Sequence, residues 1–150
     1  MKKIQLIPVL IALALLIMFV QCQKETDTET EQDTATQTID IQTAMEKFHT
    51  VLRPLQHQAV PRKNVLIILN SAENLYSLAL VIRESRIPEN LQDEQAKIDS
   101  LRQDLVNATQ ALNSVPPDVT EEEIIERFSL IHDKYENLGD TIYKIENMME

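Results

Sequence analysis

The chain contains three histidines, His49, His57 and His132, and a single cysteine, Cys22. Glu46 precedes His49 by three residues and Glu136 follows His132 by four. On a helix both spacings put the carboxylate and the imidazole on one face. Imidazole nitrogen and carboxylate oxygen together suit a divalent transition ion such as zinc or copper. The chemistry to expect from these types is therefore ion binding by His49, His132, Glu46 and Glu136, with His57 as an outer position. A second reading stands beside it, because a histidine with a glutamate one turn away is also the ordinary pattern of a solvated surface pair. The lone Cys22 excludes an intramolecular disulfide framework and a thiolate metal cluster. With one glycine in the chain, no glycine-rich loop can cradle a phosphate, and no serine stands in an elbow motif. The chain reads as a binding protein and not as an enzyme.

Four amphipathic helices would have to position these side chains. Residues 39–59 carry Ile41, Met45, Phe48, Leu52, Leu55 and Ala59 at alternating steps of four and three, the spacing of a buried helical seam. Pro54 interrupts that helix. It removes one backbone donor and crowds the carbonyl of Thr50, so a kink is expected there. The second helix, residues 64–85, has an inner stripe of Val65, Ile68, Leu69, Ala72, Leu75, Tyr76, Ala79 and Ile82. Leu66, Ile67, Leu78, Leu80 and Val81 lie beside this stripe and make the helix the most apolar of the four. Its extra apolar flank is expected to be buried, with a partner surface as the alternative. The third helix, residues 91–113, keeps the rhythm through Ile98, Leu101, Leu105, Ala108 and Leu112. The fourth opens on Thr120 with Glu123 three residues on, a capping box, and runs through Ile124, Phe128, Ile131, Tyr135, Leu138, Ile142, Ile145 and Met149. Short loops between four such seams imply an all-α, up-down-up-down four-helix bundle over residues 39–150. Aromatic residues make up only 4% of the chain and there is no Trp, which argues against an all-β fold.

The 38 residues that precede the bundle read as an address and a spacer. Met1-Lys2-Lys3 is followed by an apolar run from Ile4 to Val20, broken only by Gln5 and Pro8. A basic start and an apolar run describe an export signal, residues 1–21, that leaves the lysines in the cytoplasm. Phe19-Val20-Gln21-Cys22 resembles the lipobox of bacterial lipoproteins. It departs from the family's pattern at Gln21, where a small residue is usual. The resemblance implies lipidation at Cys22 and a protein anchored to the bacterial outer membrane, facing the periplasm or the cell surface. An uncleaved signal anchor is the alternative, and both tether the chain. Residues 23–38 are acidic, threonine-rich and free of apolar residues except Ala35. They cannot bury enough surface to offset the entropy of ordering, so a disordered linker is expected.

In an antiparallel bundle the first and fourth helices meet near Ala59 and Thr120. His49 then lies about 10 residues below that end and His132 about 12, nearly level at the helical rise of about 1.5 Å per residue. Each directly follows a seam residue, Phe48 or Ile131, so the two occupy like flanking positions. His57 would face inward only through the Pro54 kink. Met45, one turn before His49, could offer copper a thioether, although its seam position makes it a core residue first.

Over residues 40–150 the architecture resembles the exported four-helix cytochromes of the c-prime and b types. Ser129-Leu130-Ile131-His132-Asp133 lacks the cysteines of the covalent haem attachment, so the resemblance stops at the fold. Non-covalent haem would have only Met45 and His132 for ligands. Phe48-His49-x-x-Leu52-x-Pro54-Leu55-x-His57 also resembles small exported bacterial helical proteins, a likeness that implies no activity.

A formal net charge of -10 disfavours nucleic acid as a partner. The function expected is that of a membrane-tethered, exported binding protein holding a metal ion between the first and fourth helices. The alternative is a structural or protein-interaction lipoprotein with no ligand.

Overall fold

A computed structural model describes residues 39–148, and the expected export signal, Cys22 and linker lie outside the described residues. The described chain is all-α. It comprises α1 (Ile41–Pro54), a π-helical turn (Leu55–Ala59), α2 (Val65–Asn70), α3 (Ala72–Glu84), a 3-10 turn (Glu89–Glu94), α4 (Gln95–Asn113) and α5 (Glu121–Met148). None of these helices is long and apolar enough to cross a membrane.

Neighbouring helices run antiparallel, and individual side chains fix their register. Arg127 of α5 donates to the carbonyl of Ala111 on α4, and Lys134 pairs with Asp104 at 2.9 Å. Moving one way along α5 therefore moves the opposite way along α4. Tyr135 and Glu146 of α5 reach Met45 and Gln42 of α1 in the same sense. At the start of α1 the backbone of Ile39 and Ile41 pairs with Arg86, just beyond α3, through bonds of 2.8 and 3.1 Å. The molecule thus has a linker end, where residue 39 enters beside the α3–α4 turn and the close of α5. At its other end lie the π-helical turn, α2 and the start of α5.

Most seam positions are where the periodicity puts them; Val65, Leu69, Tyr76, Leu101 and Tyr135 are half-buried against the core, and Met149 lies outside the described residues. Ile41, Met45, Phe48, Leu52, Leu55 and Ala59 are buried, as are Ile68, Ala72, Leu75, Ala79 and Ile82, and Ile98, Leu105, Ala108 and Leu112. Ile124, Phe128, Ile131, Leu138, Ile142 and Ile145 are buried on α5, and Ala44, Leu91 and Val106 join the core outside the expected seams. The expected capping box at the start of α5 is formed. Glu123 N–H donates to Thr120 Oγ1 at 3.3 Å, and Thr120 N–H donates back to Glu123 Oε2 at 2.9 Å. At α1 the same job falls to Asp40, whose carboxylate accepts from the amide and hydroxyl of Thr43.

Three expectations need correction. The second helix is broken at Ser71 into α2 and α3, where the Ser71 hydroxyl donates back to the carbonyl of Ile67. Such a bond competes with the helical ladder and bends it. The third helix starts later than expected, at Gln95, after a 3-10 turn. Pro54 brings a wider turn where a simple kink was expected. Without an amide hydrogen it cannot bond back to Thr50, and the following residues bond five apart, Val60 N–H to the Leu55 carbonyl and Asn64 N–H to that of Ala59. Leu55 and Ala59 stay inward through this turn, and His57 stays exposed.

Candidate functional site

The spacing of Glu46 and His49 on α1, and of His132 and Glu136 on α5, places these four side chains near the seam between the two helices. What fills that seam is Tyr135. Its ring stacks on Phe48, with centroids 5.4 Å apart and planes 12° from parallel, and on His49, at 5.7 Å and 3°. Its hydroxyl donates to the carbonyl of Met45 at 3.4 Å. Burial, and then the carboxylates of Glu136 and Glu46, push the Tyr135 hydroxyl above its ordinary pKa. Those charges therefore flank the phenol.

His49 thus finds its cross-helix neighbour in Tyr135. His132 keeps to its own helix, with Nε2 3.8 Å from Glu136 and Nδ1 4.0 Å from Asp133. Glu46, His49 and Glu136 are exposed and His132 is half-buried. Among the described residues no group of three or more His, Cys, Asp or Glu side chains is placed so that it could hold one metal ion. The expected set of four is not assembled: His49 stacks on Tyr135, while His132 pairs with Glu136 and Asp133 on its own helix. A signal for this was present in the sequence. Tyr135 lies on the seam four residues after Ile131 and three after His132, and a ring that size reaches across to the facing helix.

His57 lies at the π-helical turn, beside Arg53, Pro54 and Gln58 around an open recess of about 430 Å³. This recess is a different one from the groove that Glu46 and Tyr135 line.

Next to the stack, α1 and α5 frame a shallow groove of about 240 Å³. Met45, Tyr135, Gly139 and Ile142 supply its apolar surface, and Gln42, Glu46 and Glu146 its polar edge. Tyr143 stands at the rim, 66% exposed. Gln42 and Glu146 close one side with a hydrogen bond of 2.8 Å. Gly139, the chain's single glycine, lies in the interior of α5. A Cβ built there would approach only the flexible end of Met45, at 3.4 Å. Close helix packing does not require a glycine at this position.

A buried guanidinium is the functional-looking group that periodicity reasoning passed over. Arg102 on α4 is 3% exposed. Its Nη2 donates to the carbonyl and the hydroxyl of Ser85, both at 3.0 Å, and Nη1 donates to Asp99 at 3.2 Å and to the Arg83 carbonyl at 3.5 Å. Burial pushes its pKa down while Asp99 holds it up, and an arginine remains charged under both. The side chain therefore closes the C-terminal end of α3, where carbonyls lack helical partners and the dipole favours a cation. Its position, four after Ile98 and three before Leu105, was the available clue.

Comparison of the chain with protein-family models, with curated proteins and with solved structures finds no match.

Proposed function

We propose that residues 39–150 form an up-down-up-down four-helix bundle, with α2 and α3 as one broken member. The bundle is exported and tethered to a membrane through a lipidated Cys22. It works as a protein-interaction module that takes a partner's side chain into the α1–α5 groove, without catalysis. The antiparallel neighbours and the continuous seams support the bundle. The basic start, the apolar run and the position of Cys22 support the tether.

The observation that carries the binding reading is Gly139. A glycine inside a helix costs about 1 kcal/mol relative to alanine, and there is room here for the alanine. What glycine provides is a clear floor beneath Met45, Ile142 and Tyr143. The groove is below the roughly 300 Å³ usual for small-molecule sites, and it suits one side chain of a protein partner. Aromatic residues such as Tyr143 at the rim are what interfaces favour.

A photo-crosslinking residue at Tyr143 in the membrane-bound full chain tests this. A discrete adduct is expected, and filling the groove with Gly139→Leu should abolish it. An adduct that survives Gly139→Leu refutes the groove. Mass spectrometry of the membrane form tests the tether separately, and an intact Met1 would refute lipidation at Cys22.

One observation favours a second reading. His132 and Glu136 sit at an i,i+4 spacing with 3.8 Å between nitrogen and oxygen, a pair that could hold a divalent ion with water completing its shell. Zinc titration then raises the melting temperature, and His132→Ala removes the rise. A rise that persists in that variant excludes the pair.

A further inference from the structure

From Lys47 to Ala72 the chain has four Lys or Arg residues, Lys47, Arg53, Arg62 and Lys63, and no Asp or Glu. The formal net charge of the whole chain is -10. This stretch forms the second half of α1, the π-helical turn, the loop after it and α2. Arg53, Arg62 and Lys63 are all exposed. Lys63 takes a positive φ of 50° as the loop reverses, and Asn64 caps α2 by accepting from the amide of Ile67. The next two large side chains point outward: Leu66 is 70% exposed and Ile67 49%. The apolar flank expected to be buried is in fact uncovered at this end.

We propose that the π-turn end of the bundle docks on an anionic lipid surface. Leu66 and Ile67 enter the acyl boundary, and Arg53, Arg62 and Lys63 lie over the headgroups. Each part of this surface has a counterpart in the bilayer interface. Adjacent apolar side chains on a short exposed helix can insert there, and long basic side chains can reach headgroup phosphates with their stems in the apolar layer. Glu121, Glu122 and Glu123 at the start of α5 belong to this same end. The docking face is therefore the loop and α2 surface that carries the basic and apolar side chains, and acidic residues more than about 8 Å from it are screened at physiological ionic strength. A protein partner is disfavoured by shape, since the two exposed side chains stand on an uncovered helix and not in a groove. Docking here would give the domain a second membrane contact, independent of the N-terminal tether.

The test uses the fragment 36–150, whose described residues share one hydrophobic core and which leaves out the proposed anchor, so the tether cannot contribute. It is mixed with vesicles of phosphatidylcholine alone or with phosphatidylglycerol added. Binding to the anionic vesicles is expected to be at least about tenfold tighter, and to weaken with salt. Arg62→Glu with Lys63→Glu should remove that preference, and Leu66→Ser with Ile67→Ser should remove binding. Lys144→Glu, an exposed change outside this stretch, should leave it intact. The chain has no Trp, so Leu66→Trp reports insertion directly by a blue shift on anionic vesicles. Equal binding to both vesicle types, no binding, or binding unaffected by the serine pair overturns the proposal. Self-association that the serine pair abolishes, without vesicle binding, assigns the surface to a second copy of the chain and overturns it as well.

Discussion

The two ends of the molecule are built on opposite terms. At the linker end every strand of chain is tied to another. The Ile39–Ile41 backbone pairs with Arg86, Gln42 bonds Glu146 across α1 and α5, and Arg102 closes α3 from beneath. At the π-turn end the ties are mostly local, the bond from Arg127 to the Ala111 carbonyl apart. Bonds five apart span the turn after Pro54, Asn64 caps a helix of six residues, and Leu66 and Ile67 meet solvent. Helix ends closed by long-range bonds resist opening, whereas segments with few buried apolar contacts open at low cost. The difference assigns stability to the end where the chain enters and leaves the other end free to meet a surface.

The largest effect should come from Arg102→Ala, which leaves the Ser85 and Arg83 carbonyls without their donor and opens a cavity at the linker end. A loss of about 3 kcal/mol is expected in urea denaturation. A loss as small as that of a surface substitution would mean that the linker end is not the anchored one.

Acid compares the ends through their caps. Hydrogen bonds from the amide and the hydroxyl of Thr43 hold the Asp40 carboxyl below its usual range, and those of Thr120 do the same for Glu123 at the other end. A carboxylate whose folded pKa is depressed stabilises the fold above its unfolded pKa near 4, and this contribution is lost as pH falls through the folded value. Melting temperature should therefore fall below about pH 4. Asp40→Asn and Glu123→Gln should each flatten that fall and lower the melting temperature at neutral pH by a few degrees. If only one does so, the two caps are not equivalent.

Tyr135 gives the opposite sign. Its folded pKa is raised, so its contribution is complete below the unfolded value near 10 and is lost as pH rises through the folded one. Tyr135→Phe keeps the ring stack on Phe48 and His49 and gives up the hydroxyl. It should cost under about 1 kcal/mol at neutral pH and remove part of the alkaline destabilisation, as followed by circular dichroism.

The smallest effect belongs to the exposed pair. Leu66→Ser with Ile67→Ser should change unfolding free energy by no more than about 0.5 kcal/mol, the contrast that Arg102→Ala sharpens. A large loss would show that this turn supports the fold, and the comparison between the ends would fail.

Much of this was legible in the sequence. A period near 3.6 determines which side of a helix faces inward whatever lies opposite, so the seams from Ile41 to Ala59 and from Ile124 to Ile145 could be read off one chain. The start of α5 was equally plain, because a capping box needs only Thr120 and Glu123. The Ser71 break was not, since a serine hydroxyl either bonds its own helix or faces solvent, and apolar spacing is the same in both cases. Leu66 and Ile67 were misread for a related reason: on a helix apolar nearly all round, only the neighbours decide which side chains are covered.

The candidate metal site shows where that boundary lies. The sequence by itself determined that His49 and His132 flank the same seam and that each has a glutamate one turn away. Only the tertiary structure decided what each of them meets. Tyr135 reaches His49 from the facing helix, and no spacing along one helix encodes which side chain arrives from the other. The same holds for Arg102, whose place on an apolar stripe became sensible only when the carbonyls of Arg83 and Ser85 arrived beside it from another part of the chain.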